Sequence, residues 1–133
     1  MKTKLAVLAV LLAFCAGAGL GTAVAQKSKD ATIADPDAHQ VVLENEYVRV
    51  LEARAAPGYK SPLHSHPPLL LISLSSARLK VRTPEGQTQI VDFKPGTVIW
   101  RDKAIEHSWE LLAGEVHAIA VEVKAAAQGG KGN

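Results

Sequence analysis

The chain has 133 residues, with 15 basic, 13 acidic and five histidine side chains and a formal charge of +2 when the histidines are neutral. That length suits one domain with an extra segment. It carries no basic block or aromatic-interleaved stripe, which argues against nucleic acid as a partner, and no nucleophile motif, phosphate loop or redox cysteine pair.

The extra segment is at the front. Lys2 and Lys4 open it, Leu5 to Ala13 is an apolar run, and small residues lead to Ala23-Val24-Ala25, an A-x-A cleavage pattern. Residues 1–25 are therefore expected to be a signal peptide cut before Gln26, leaving 108 of the 133 residues in a periplasmic or secreted protein. A retained membrane anchor is the alternative, but the run is short for a spanning helix. No membrane contact is expected after cleavage. Cys15 follows Phe14, where a lipoprotein signal wants a small residue. If Cys15 leaves with the leader, disulfides and thiolate ligands are excluded, and any metal must be held by nitrogen and oxygen. Removing Lys2 and Lys4 takes the 15 basic residues to 13, which balance the 13 acidic ones.

Residues 26–39 are mostly Lys, Ser, Asp, Ala and Pro, without periodicity, and read as a flexible, exposed arm. His39 lies in it and is set aside as solvated, because a site needs rigid support. Strand signals follow at Gln40–Leu43 and Tyr47–Ala53. Pro57-Gly58 turns into the histidine strand, Leu69 to Leu74 is a continuous apolar run, and Ala77–Thr83 alternates with Arg78, Lys80 and Arg82 on its wet face. Pro84-Glu85-Gly86 is a hairpin turn, and strands follow at Gln87–Phe93, Thr97–Trp100, Ile105–Leu112 and Glu115–Lys124. Residues 40–124 thus give eight or nine short strands with no convincing helix, the pattern of an all-β sandwich or barrel. Residues 125–133 read as a flexible tail.

His64 and His66 stand two apart, so on a strand both imidazoles point to one face, as a chelating site needs. The bland alternative is two polar side chains facing water. His107 follows about forty residues later, and completes a triad if the sheet folds back on itself.

In its motifs the chain resembles a small single-domain cupin, a jelly-roll β-barrel family. The first family motif runs Gly, five residues, His-x-His, three or four residues, Glu, six residues, Gly. Here it reads Gly58, five residues, His64-Ser65-His66, three residues, Leu70, six residues, Ala77. The second runs Gly, five residues, Pro-x-Gly, two residues, His, three residues, Asn, and here reads Gly96, five residues, Asp102-Lys103-Ala104, two residues, His107, three residues, Leu111. The resemblance covers about Val41 to Lys124. It implies a single jelly-roll barrel in which His64, His66 and His107 hold a divalent metal ion (Zn, Fe, Mn, Ni or Cu), and a homodimer. Leu70 departs from the pattern where the family has a metal-binding glutamate. Three neutral imidazoles would leave the ion at +2, more Lewis-acidic and more welcoming to an anion.

If His64 and His66 point inward, the same parity puts Leu70 and Ile72 in the pocket and Leu69 and Leu71 outside, unless Pro67-Pro68 shifts the phase. Outward leucines need cover, and self-association supplies it. Trp100 and Trp109 are pocket candidates or plain core. His117 reads as a satisfied core or rim group, Glu106 as a weak acid/base candidate, and Arg101 and Asp102 as turn residues. Three functions stay open: a metal-dependent enzyme acting on a small anionic or hydroxylated compound, a non-catalytic metal- or ligand-binding module, and a barrel that has lost its metal.

Overall fold

The computed structural model describes residues 28–125. The leader with Cys15, the cleavage point before Gln26 and the tail beyond Ala125 lie outside the described residues.

The described chain is mostly strand, with almost no helix: β1 (Lys29–Asp30), a single helical turn α1 (Ala31–Ala34), then β2 (His39–Glu44), β3 (Val48–Ala55), β4 (Lys60–His66), β5 (Leu69–Ser73), β6 (Ala77–Arg82), β7 (Thr88–Phe93), β8 (Val98–Arg101), β9 (Ile105–Gly114) and β10 (Val116–Val123). They form two five-stranded sheets, ordered β1-β4-β9-β6-β7 and β2-β3-β10-β5-β8. All pairs are antiparallel except β1 with β4. This is the all-β architecture that the alternation implied, in the jelly-roll form that the cupin resemblance implied.

Period-2 patterning builds the interior. On β6, Ala77 and Leu79 are buried while Arg78, Lys80 and Arg82 face water, so the apolar side turns inward. One buried cluster joins Ala38, Ala77, Leu79, Trp109 and Leu111. A second joins Ala31, Leu51 and Ala120, with Leu71 packed against it. At about 25 cal/mol per Å² of apolar area removed from water, such burial is the main force holding the barrel together.

Two expectations change here. The segment before β2 is not an exposed arm. Ala31 and Ala38 belong to the two buried clusters, and His39 is buried as well. Asp30 caps the turn by accepting from the backbone N–H of Thr32 at 3.0 Å, and β1 pairs in parallel with His64 and Ser65. Low hydrophobicity misled because alanines fill gaps against a barrel wall that larger side chains could not enter.

The second change concerns strand phase. The β4–β9 register slips between Ser61 and His64, so that Ser61, His64 and His66 are all buried. Pro67-Pro68 then breaks the alternation again. Leu69 and Ser73 are buried on β5 and line the interior with Leu71, whereas Leu70 and Ile72 take the outer face. There Leu70 stands opposite Trp100 and Ile72 opposite Val98. Leu70, Ile72 and the half-exposed Trp100 are thus outside the pocket.

Candidate metal centre

Four imidazoles meet at one end of the barrel interior. Strands β4 and β9 are neighbours, and their register puts His64 directly opposite His107. The two rings are 4.7 Å apart, with their Nε2 atoms at 3.0 Å. His66 lies 4.9 Å from His64 and 5.6 Å from His107, centre to centre. The fourth ring is His39, at 4.8 Å from His64 and 5.5 Å from His66. One nitrogen from each of His39, His64 and His66 lies within 4.8 Å of the others.

The backs of three rings are tied down. His64 Nδ1 lies 2.8 Å from the carbonyl of Pro62, His66 Nδ1 is 2.7 Å from a carboxylate oxygen of Glu122, and His39 Nδ1 is 3.3 Å from the carbonyl of Asp35. These partners only accept, so each Nδ1 carries the hydrogen and each Nε2 keeps its lone pair. Metal-binding histidines are held in this way.

Protonation is suppressed as well. Burial lowers His64 to about 4, with the rings of His66 and His39 adding to the effect. Burial and the neighbouring His64 and His66 rings lower His107 to about 3, and Arg101 contributes. Burial also lowers His39, and His66 pushes the same way. These three rings, His39, His64 and His107, therefore offer lone pairs at neutral pH instead of repelling a cation.

Two buried carboxylates support the cluster. Asp35 accepts from the hydroxyls of Tyr59 and Ser61, and Ser61 lies 3.2 Å from His64 Nδ1. Burial and this carboxylate push the Tyr59 phenol up to about 12. Glu122 is 1% exposed. Its second oxygen accepts from Arg49 Nε at 2.6 Å, and Arg49 also bridges to Asp30 at 2.5 Å. Burial opposes the ionised form of Asp30, but its bonds to Arg49 and Thr32 outweigh that and lower it. Glu122 is thus a paired buried charge, as such a position requires.

Not every chemical candidate joins the cluster. His117 is 2.9 Å from Glu52 and makes no ring contact with the other four histidines. Glu106 is exposed next to the inward His107. Sequence reasoning missed His39, Asp35, Glu122 and Arg101. Glu122 had a signal: it continues the inward series Ala118 and Ala120 on β10, where an acid is out of place. Arg101 closes β8 on the inward side instead of standing in a turn.

From the cluster a cavity of about 170 Å³ runs into the barrel. His39, His66 and His107 meet it, and its walls include Leu69, Leu71, Leu79, Val91, Phe93 and Trp109.

No protein-family model and no curated protein matches the chain. Solved structures do. A cupin domain from Bordetella pertussis Tohama I has a TM-score of 0.60 at 27% identity, covering 65% of this chain and 92% of that one. The barrel has the cupin fold. An RmlC-like cupin family protein of double-stranded β-helix fold from Methanocaldococcus jannaschii gives 0.54 at 12% identity, covering 68% and 82%. In this barrel the motif glycines Gly58 and Gly96 take positive φ of 84° and 83°, which glycine adopts without the steric cost a Cβ would bring.

The donor set fits a divalent ion. Imidazole nitrogen suits the transition metals. A spacing of 3.0 Å between two Nε2 atoms suits adjacent ligands with bonds of about 2.1 Å. His39, His64, His66 and His107 are the residues that would hold it. A bound ion would supply Lewis-acid polarisation of a ligand oxygen. The chain itself orients the rings through Pro62, Asp35 and Glu122, and the adjoining cavity walls are largely apolar.

Proposed function

We propose that this protein is an exported cupin that binds a divalent metal ion through His64, His66 and His107, with His39 as a fourth nitrogen, and takes a small anionic or hydroxylated compound into the barrel. The observation that carries the reading is the opposed pair of Nε2 atoms on His64 and His107, beside rings whose Nδ1 atoms are already engaged. His39 stands in for the missing glutamate. The ligands themselves therefore stay neutral, while Glu122 lends negative charge from behind.

Metal analysis of the purified protein tests it. One ion per chain, lost in His64→Ala and His107→Ala, supports the reading; a protein that takes up no Zn, Mn, Ni, Fe or Cu ends it. Oxygen uptake or product formation with candidate acids and alcohols then separates an enzyme from a binding module. Export is checked by fractionation and N-terminal sequencing, with Gln26 expected first.

A homodimer belongs to the same proposal. Leu70, Ile72, Val98 and Trp100 lie side by side on the outer face of the second sheet, with Val98 and Trp100 more than half exposed. Apolar area of this kind favours self-association. Light scattering should give twice the chain mass, falling to one in Trp100→Glu.

A further inference from the structure

We infer that Arg101 anchors the carboxylate of a small, otherwise apolar acid in the barrel cavity. The inference rests on the metal-site reading above and narrows its ligand class.

Arg101 is the last residue of β8 and pairs with Leu69, a buried cavity-wall residue. Two residues earlier Ile99 also lines the cavity. Arg101 itself is exposed, so the strand brings it to the open mouth of the space that His66 and His107 meet. Arg49, Arg54 and Arg78 each have a carboxylate partner. Among the described residues the Arg101 side chain makes no hydrogen bond and no ion pair. No aspartate or glutamate lines the cavity, so nothing there competes for the cation or repels an acid.

The rest of the space sets the body of the ligand. Its walls are largely leucine, valine, isoleucine, alanine and aromatic rings, with Gln89 and Ser73 among the few polar groups. A sugar or a dicarboxylate would turn polar atoms toward those walls without partners, which disfavours either as the ligand. The volume of about 170 Å³ is close to that of an engineered apolar cavity of about 150 Å³ that admits benzene. One ring or a short branched chain fits. A guanidinium presents a planar fork that matches a carboxylate bidentately, which an ammonium does not. The ligand class is thus a monocarboxylate with a compact apolar body, held between Arg101 and the histidine end.

Benzoate is the probe, benzamide its uncharged isostere, and both are titrated calorimetrically into metal-loaded full-length protein. Metal content is measured on the same samples. Wild type should bind benzoate at least about tenfold more tightly than benzamide, the expected worth of a charge-assisted pair. Arg101→Gln should remove that preference without changing metal content or the unfolding midpoint, and Arg101→Lys should restore part of it. Equal affinities for the two probes, no benzoate binding to metal-loaded protein, or unchanged benzoate affinity in Arg101→Gln would overturn the inference while leaving the metal site standing. Arg101-dependent benzoate binding by a chain that takes up no metal would sustain the inference and sink the metal reading.

Discussion

One oxygen of Glu122 sits 2.7 Å from His66 Nδ1, and the other accepts from Arg49. This carboxylate therefore faces away from the cavity, and orients a ring instead of acting as a ligand. Glu122→Gln should lower metal affinity about 10–100-fold, the usual cost of losing such a partner. The one-ion stoichiometry should remain. Competition against a chromogenic chelator measures both.

Removing a ring should be worse than removing its support. His39→Ala and His107→Ala are each expected to weaken metal binding by more than about 100-fold, beyond the range for indirect partners. His117→Ala should leave it unchanged, because that ring is engaged by Glu52. If His39→Ala binds metal like wild type, the centre has three nitrogens and His39 is packing.

Acid should destabilise the metal-free protein in a defined window. His64 and His107 are lowered to about 4 and about 3 in the folded chain, against about 6.5 when unfolded. Below pH about 6.5 the unfolded chain takes up protons that the folded chain refuses, so stability falls with pH. It is fully present above that value and is lost progressively, down to about pH 4 for His64, by an amount on the order of 3 kcal/mol, and on to about pH 3 for His107. Urea midpoints across this range report it. His64→Gln should flatten the curve.

Glycines at positive φ should separate by their surroundings. A Cβ built on Gly114 would lie 2.1 Å from the carbonyl oxygen of Ser76, whereas Gly58 and Gly96 have nothing within 4 Å. Gly114→Ala should therefore cost more than about 3 kcal/mol or abolish folding, and Gly58→Ala about 1–2 kcal/mol. Chemical denaturation of the variants is the check.

The barrel was readable in the sequence because alternation and Pro-Gly turns are local signals. Three of the four rings were readable too: His64 and His66 share a strand face, and His107 follows a second glycine-led turn. Strand phase through Pro67-Pro68 was not readable, since a break can shift the alternation either way. That exchanged Leu70 and Ile72 for Leu69 and Leu71. His39 was missed for a different reason. Its support comes from Asp35, Ala38 and contacts with β4, all non-local, so its own neighbourhood looks like linker. Arg101 likewise looked like turn chemistry until its pairing with Leu69 set its direction.

The short parallel pairing of β1 with β4 bears on how the protein should be handled at the bench. Trimming the gene to begin at Gln40, a natural choice for anyone isolating the barrel alone, would delete His39, Asp35 and the Asp30 clamp on Arg49. Such a shortened product would still be expected to form most of its sheets, yet would report an artificially weak ion affinity. Purification handles therefore belong on the C-terminal side.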